Sequence, residues 1–177
     1  RKSCCVSRSF SEPIENIEEL MESVASYGSR AAEKIREENL ISQLMNVFVL
    51  TNHFNRKEKQ YSNSIKLQFD FPTSNSFLIV KKAVEGVRNI FKSGYRYKKA
   101  GVILYELNDA SSVRGLLDYD REKSEVLMQS LDEINLRYGS STLRLAAEGI
   151  KKKWSMKREK ISPCYTTRFD ELKIVRS

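Results

Sequence analysis

The chain has 177 residues, with 31 lysines and arginines against 23 aspartates and glutamates, a single histidine and a net charge of +8. A hydrophobic share of 40% supports a core, and a charged share of 31% without any bilayer-length apolar run argues against membrane-spanning helices. One histidine and three cysteines without CxxC spacing argue against a structural zinc site and against ordinary histidine-based catalysis.

Lys2 to Phe10 reads as a short strand, with Cys4, Val6 and Phe10 alternating with smaller or polar residues, and Pro13 ends it. Cys4 and Cys5 point to opposite faces of that strand. They are read, with Cys164, as reduced residues of a cytosolic protein. Asn16 followed by Glu19 resembles a capping box. Ile17, Leu20, Met21, Val24, Ala31, Ala32 and Ile35 then form the stripe of an amphipathic helix running to about Asn39. Leu44 to Leu50 is nearly continuous apolar sequence, expected of a central strand. His53 to Gln60 is a polar, charged loop.

Ile65, Leu67, Phe69 and Phe71 alternate with Lys66, Gln68 and Asp70, which predicts a strand with one wet face, stopped by Pro72. Ser74 or Asn75 caps a second helix carrying Ile79, Val80, Ala83, Val84, Val87, Ile90 and Phe91 and ending at Gly94. Tyr97 to Leu107 is a final strand. Together these elements predict an α+β, ferredoxin-like βαββαβ fold, with two helices on one face of a four-stranded sheet and the other face open. A small C-terminal α/β appendage follows. It has a helix over Ser124 to Leu136, a weak strand around Thr142 to Ala146, and a basic segment in which Lys151, Lys152, Lys153, Lys157, Arg158 and Lys160 oppose only Glu159.

Phosphate-loop and nucleophile-elbow motifs are absent. Glu15, Glu18, Glu19 and Glu22 cluster at a helix start, where carboxylates favour the macrodipole and need no metal to explain them. The net positive charge instead favours an anionic partner such as nucleic acid. Tyr61, Tyr95 and Tyr97 read as sheet-end packing residues, and Trp154 as the core anchor of a small unit with Ile161, Tyr165 and Phe169.

The run Trp154-Ser155-Met156-Lys157-Arg158-Glu159-Lys160-Ile161-Ser162-Pro163-Cys164-Tyr165-Thr166-Thr167-Arg168-Phe169-Asp170-Glu171-Leu172 resembles the terminal signature of the UmuC family, the catalytic subunits of bacterial DNA polymerase V within the Y-family of translesion polymerases. The resemblance implies a C-terminal portion of such an enzyme. Residues 1–109 would be the DNA-binding little finger, 110–122 a linker, and 123–177 the UmuC tail domain. It also implies SOS mutagenesis and DNA repair as the setting, and no catalysis by this chain. The palm, with its acidic residues and Mg2+, would lie outside it.

Tyr95 to Leu107 and Ser7-Arg8-Ser9-Phe10 are similar to little-finger strands that meet DNA backbones. Ser7, Arg8, Lys66, Arg96, Lys98 and Lys99 are the implied DNA contacts. Adjacent lysines on a strand face opposite ways, so one of Lys98 and Lys99 can equally protect a sheet edge. Leu116, Leu117 and Tyr119 resemble a degenerate sliding-clamp peptide, with Gly115 and Asp118 in place of its usual glutamine and leucine. The resemblance further implies the UmuD′ dimer, RecA and the sliding clamp as partners. The alternative reading is a stand-alone ferredoxin-like module for protein interaction or RNA binding, which expects paired aromatics on the central strands.

Overall fold

A computed structural model of the chain describes residues 2–113, 118–152, 154–155, 162–166 and 172, with no side-chain description at 113 and 118–122. Strand β1 (Ser3–Ile14) leads to helix α1 (Ile17–Glu37), strands β2 (Leu40–Thr51) and β3 (Ser62–Thr73), helix α2 (Ser76–Ile90) and strand β4 (Tyr97–Asp109). A 3-10 turn at Ala110–Val113, helix α3 (Asp118–Tyr138) and a 3-10 turn at Ala146–Glu148 complete the described elements. The four strands lie in the order β1-β4-β2-β3, every pair antiparallel, so β4 and β2 are the central pair. This is the ferredoxin-like arrangement, with an added C-terminal helix.

The core lies between the sheet and the two helices. Leu20, Val24, Ala31 and Ile35 of α1 and Ile79, Ala83 and Val87 of α2 are buried against Val6, Met45, Val47, Val102 and Leu104 of the strands. Both helices start as their sequences dictate. Asn16 Oδ1 accepts from the Glu18 N–H at 2.8 Å, and Asn75 Oδ1 accepts from those of Phe77 and Leu78 at 2.7 and 3.3 Å.

Several element ends differ from the sequence reading. Pro13 and Pro72 do not stop their strands, because β1 and β3 are the two edges of the sheet. An edge residue need not donate to a ladder, and Pro13 sits where the β1 register shifts between Ser9 and Ile14. Helix α2 ends at Ile90 rather than Gly94: Phe91 turns extended, and its ring lies 5.6 Å from that of Tyr97. The Tyr97 hydroxyl accepts from the Lys92 N–H at 2.7 Å and donates to the Lys92 carbonyl at 2.9 Å, which fixes the turn. Gly94, at φ +82°, belongs to that turn. The segment around Thr142 to Ala146 is no strand but a turn entering the last 3-10 helix. No described helix is long and apolar enough to cross a membrane.

A candidate nucleic-acid interface on the open sheet face

Strand alternation sends one set of side chains into the core and the other outward. The registers align the outward set in rows across the sheet. Ser3, Tyr105, Leu44 and Gln68 form the first row, and Cys5, Ile103, Asn46 and Lys66 the second. Ser7, Gly101, Phe48 and Ser64 form the third, and Ser9, Lys99, Leu50 and Ser62 the fourth. The middle of this face is apolar and half-buried, through Leu44, Phe48, Leu50, Ile103 and Tyr105, while serines, Cys5, Gln68 and Lys66 line its edges.

Of the residues proposed from sequence, this face brings together Ser7, Lys66 and Lys99. Lys66 is exposed and Lys99 half-buried, and no hydrogen bond or ion pair holds either ammonium among the described residues. The other three lie elsewhere. Arg8 is on the helix side of β1, where its charge reaches Tyr27 of α1. Lys98 donates to the Phe10 and Ser11 carbonyls at 2.6 and 3.2 Å, closing the backbone groups left open by the irregular stretch of β1. Arg96 bridges Glu15 at 3.1 Å and Glu58 at 2.5 Å.

The flatness of the face depends on Gly101. A Cβ there would lie 2.5 Å from the Ser7 Cβ and 2.6 Å from the Phe48 Cζ, so the Phe48 ring lies close over the β4 backbone. Gly101→Ala is expected to push Phe48 off the sheet and to destabilise the fold by about 1–3 kcal/mol. Urea denaturation checks this, and an unchanged midpoint would show that the ring moves aside freely.

At the first-row end, a shallow cavity of about 570 Å3 is lined by Lys2, Leu44, Lys66, Tyr105, Glu106 and Leu107. Three consecutive residues of β4 can line one cavity because Glu106 adopts φ +51°, which breaks the alternation.

Residues 1–117 match the family described as the impB/mucB/samB family C-terminal domain. The chain belongs to this family. Residues 125–175 match a second family, a domain of unknown function (DUF4113). Among curated relatives, Protein UmuC of Salmonella typhimurium is 39% identical over 169 residues, covering 94% of this chain and 40% of that protein. Protein ImpB of Salmonella typhimurium is 37% identical, covering 96% of this chain and 41% of that protein, and Protein SamB is 38% identical over 94% and 40%. The chain thus spans about two fifths of the length of these relatives. Among solved structures, the insertion ternary complex of Dbh DNA polymerase is similar over 58% of this chain and 28% of that one, with a TM-score of 0.45 and 12% identity.

Trp154 is buried in the same core as α1, its ring 5.7 Å from Tyr27 at 81°, so it anchors in the core of the sheet-and-helix unit. Tyr165 is exposed, and Ile161 and Phe169 lie outside the described residues. Lys152, part of the basic segment, donates to Ser26 Oγ at 2.9 Å and lies 3.8 Å from Glu148. Lys153, Lys157, Arg158 and Lys160 lie outside the described residues, as do Leu116 and Leu117 of the clamp-like peptide. Tyr119 falls on helix α3.

The acidic cluster shows no metal-site geometry. Glu18 and Glu19 occupy the first turn of α1, Glu15 pairs with Arg96, and no group of three or more potential ligands comes together among the described residues. The apolar centre of the face, Phe48, Ile103 and Tyr105, was hidden in sequence because the apolar runs of β2 and β4 do not say which members face outward. A further omission is Phe54, inside a loop read as merely polar.

Proposed function

We propose that this chain is the DNA-gripping, regulatory C-terminal part of an error-prone translesion DNA polymerase of the UmuC type, acting in SOS repair and mutagenesis in the cytoplasm. The observation that carries this reading is the open face of the sheet, which presents Lys66, Lys99 and Ser7 together while both core helices pack on the other side. Membership of the family shared with UmuC, ImpB and SamB supports it.

The mechanism is positioning. Ammonium groups and serine hydroxyls at the edges of the face meet backbone phosphates and displace condensed counterions. The half-buried centre lies against the sugar–phosphate surface with no guanidinium fork among its described residues, and the Asn46 amide oxygen there is buried, so binding is nearly independent of sequence. The catalytic palm with its Mg2+ belongs to the remainder of the polymerase. The UmuD′ dimer, RecA and the sliding clamp are the partners this reading assigns to the assembled enzyme, the last through Leu116, Leu117 and Tyr119.

Lys66→Ala with Lys99→Ala is expected to weaken binding to two unrelated primer-templates equally and to reduce the salt slope by about two units. Fluorescence anisotropy across a salt series measures both quantities. Lys98→Ala is the contrasting variant, since its ammonium holds backbone carbonyls: it should lower stability more than it changes the slope. An unchanged slope in the double variant overturns the assignment of this face.

A further inference from the structure

The β2–β3 connection carries an aromatic ring that the fold makes no use of. Phe54 is 96% exposed, the most exposed of the large hydrophobic side chains in the described residues. Its loop is nonetheless closely tied. The Gln60 side-chain amide donates to the carbonyls of Asn52, Asn55 and Glu58 at 3.1, 2.9 and 3.1 Å, and its Oε1 accepts from the Thr51 hydroxyl at 3.1 Å. Asn52 Oδ1 accepts from the Phe54 N–H at 3.2 Å, and Glu58 is held by Arg96 at 2.5 Å. A side chain on so constrained a backbone has lost its route back to the core, so its exposure is built into the loop.

Three features say what meets it. The loop begins just after Leu50 and ends just before Ser62, which share the fourth row with Lys99, so it extends the face proposed to grip DNA. Arg56, Lys57 and Lys59 follow Phe54 in the same loop and are exposed, while Glu58, the acid among them, is already paired. A phenyl ring carries no hydrogen-bonding group, so the surface it meets must be apolar, flat and surrounded by negative charge. A nucleobase face within a phosphate backbone meets all of these conditions, and any base does so.

We propose that Phe54 stacks on a nucleobase face at the edge of the gripped DNA, with Arg56, Lys57 and Lys59 holding the neighbouring phosphates. This rests on the DNA-gripping reading above and adds a contact of a different kind, one insensitive to salt. The base comes either from unpaired strand or from a duplex step opened by the ring.

The test compares wild type, Phe54→Ala, Phe54→Trp and Lys57→Ala on a blunt duplex and on the same duplex with an unpaired overhang, by anisotropy across a salt series. Phe54→Ala is expected to lose roughly five- to a hundredfold in affinity with an unchanged salt slope, and Phe54→Trp to restore it. Lys57→Ala should instead flatten the slope by about one unit. A loss confined to the overhang substrate assigns the base to unpaired strand, and a loss on both assigns it to an opened step. Equal affinity of wild type and Phe54→Ala on both substrates overturns the proposal and leaves the ring to a protein partner. Wild type that binds neither DNA at low salt instead overturns the DNA-gripping reading itself, so the two failures are distinct.

Discussion

Trp154→Ala is expected to lower the unfolding free energy by about 3–5 kcal/mol, the range for removing a buried large aromatic ring. Trp154 is only 6% exposed, although it arrives from a segment more than forty residues beyond the last strand of the sheet. Its ring meets Tyr27 edge-on, and burial pushes the Tyr27 hydroxyl well above its ordinary pKa, so Tyr27 stays neutral across the working pH range. The Trp154 Nε1 and Tyr27 Oη have no hydrogen-bond partner, so the contribution of the indole is its apolar area and packing. Trp154→Phe should therefore retain much of what Trp154→Ala loses. The chain has a single tryptophan, so its fluorescence reports on this contact alone. In the wild type, the urea transition by fluorescence should coincide with that by far-UV circular dichroism. Separate transitions, or a loss under about 1 kcal/mol in the alanine variant, would mean that the tail docks independently of the core.

That contact marks a limit of what the sequence discloses. Apolar periodicity was enough to place both core helices and all four strands of the sheet, because each element must bury one stripe or one face. Asn16 was legible as a cap, and Asn75 as one of two candidates with Ser74, because capping is local. Strand ends were not, since whether Pro13 and Pro72 interrupt a ladder depends on the strands being edges, which only the β1-β4-β2-β3 order decides. The lysine pair shows the same limit within the site. Alternation says that Lys98 and Lys99 face opposite ways, but the irregular pairing of β1 is what gives Lys98 two carbonyls to hold and leaves Lys99 on the open face. Phe54 escaped notice because a single aromatic in a polar loop has no periodicity to betray it.

Arg36→Ala is expected to destabilise the fold by about 2–3 kcal/mol and to loosen α3 first. The guanidinium is the clip between three helices. Its Nε and Nη2 donate to the two carboxylate oxygens of Asp132 on α3 at 2.7 Å each, while Nη1 donates to the Ser74 carbonyl at 2.6 Å and to Ser76 Oγ at 2.9 Å at the start of α2. The arginine side chain is 11% exposed and that of Asp132 30%, so the orphaned carboxylate regains some water and the loss falls below that of a fully buried pair. Around the clip, the Ser76 N–H lies 3.3 Å from the Met128 sulfur and Asn75 Nδ2 donates to Ser124 Oγ at 2.5 Å, so these contacts seat α3 where the end of α1 meets the start of α2. Lysine at position 36 should rescue little, because a single ammonium cannot span both carboxylate oxygens and the two α2 acceptors at once. A double-mutant cycle with Asp132→Asn, followed by urea denaturation, isolates the pair, and a coupling energy near zero would remove Arg36 from this role. DNA affinity is the complementary readout. The clip lies on the helix side of the sheet, so Arg36→Ala should leave the salt slope of binding unchanged at temperatures where the variant remains folded.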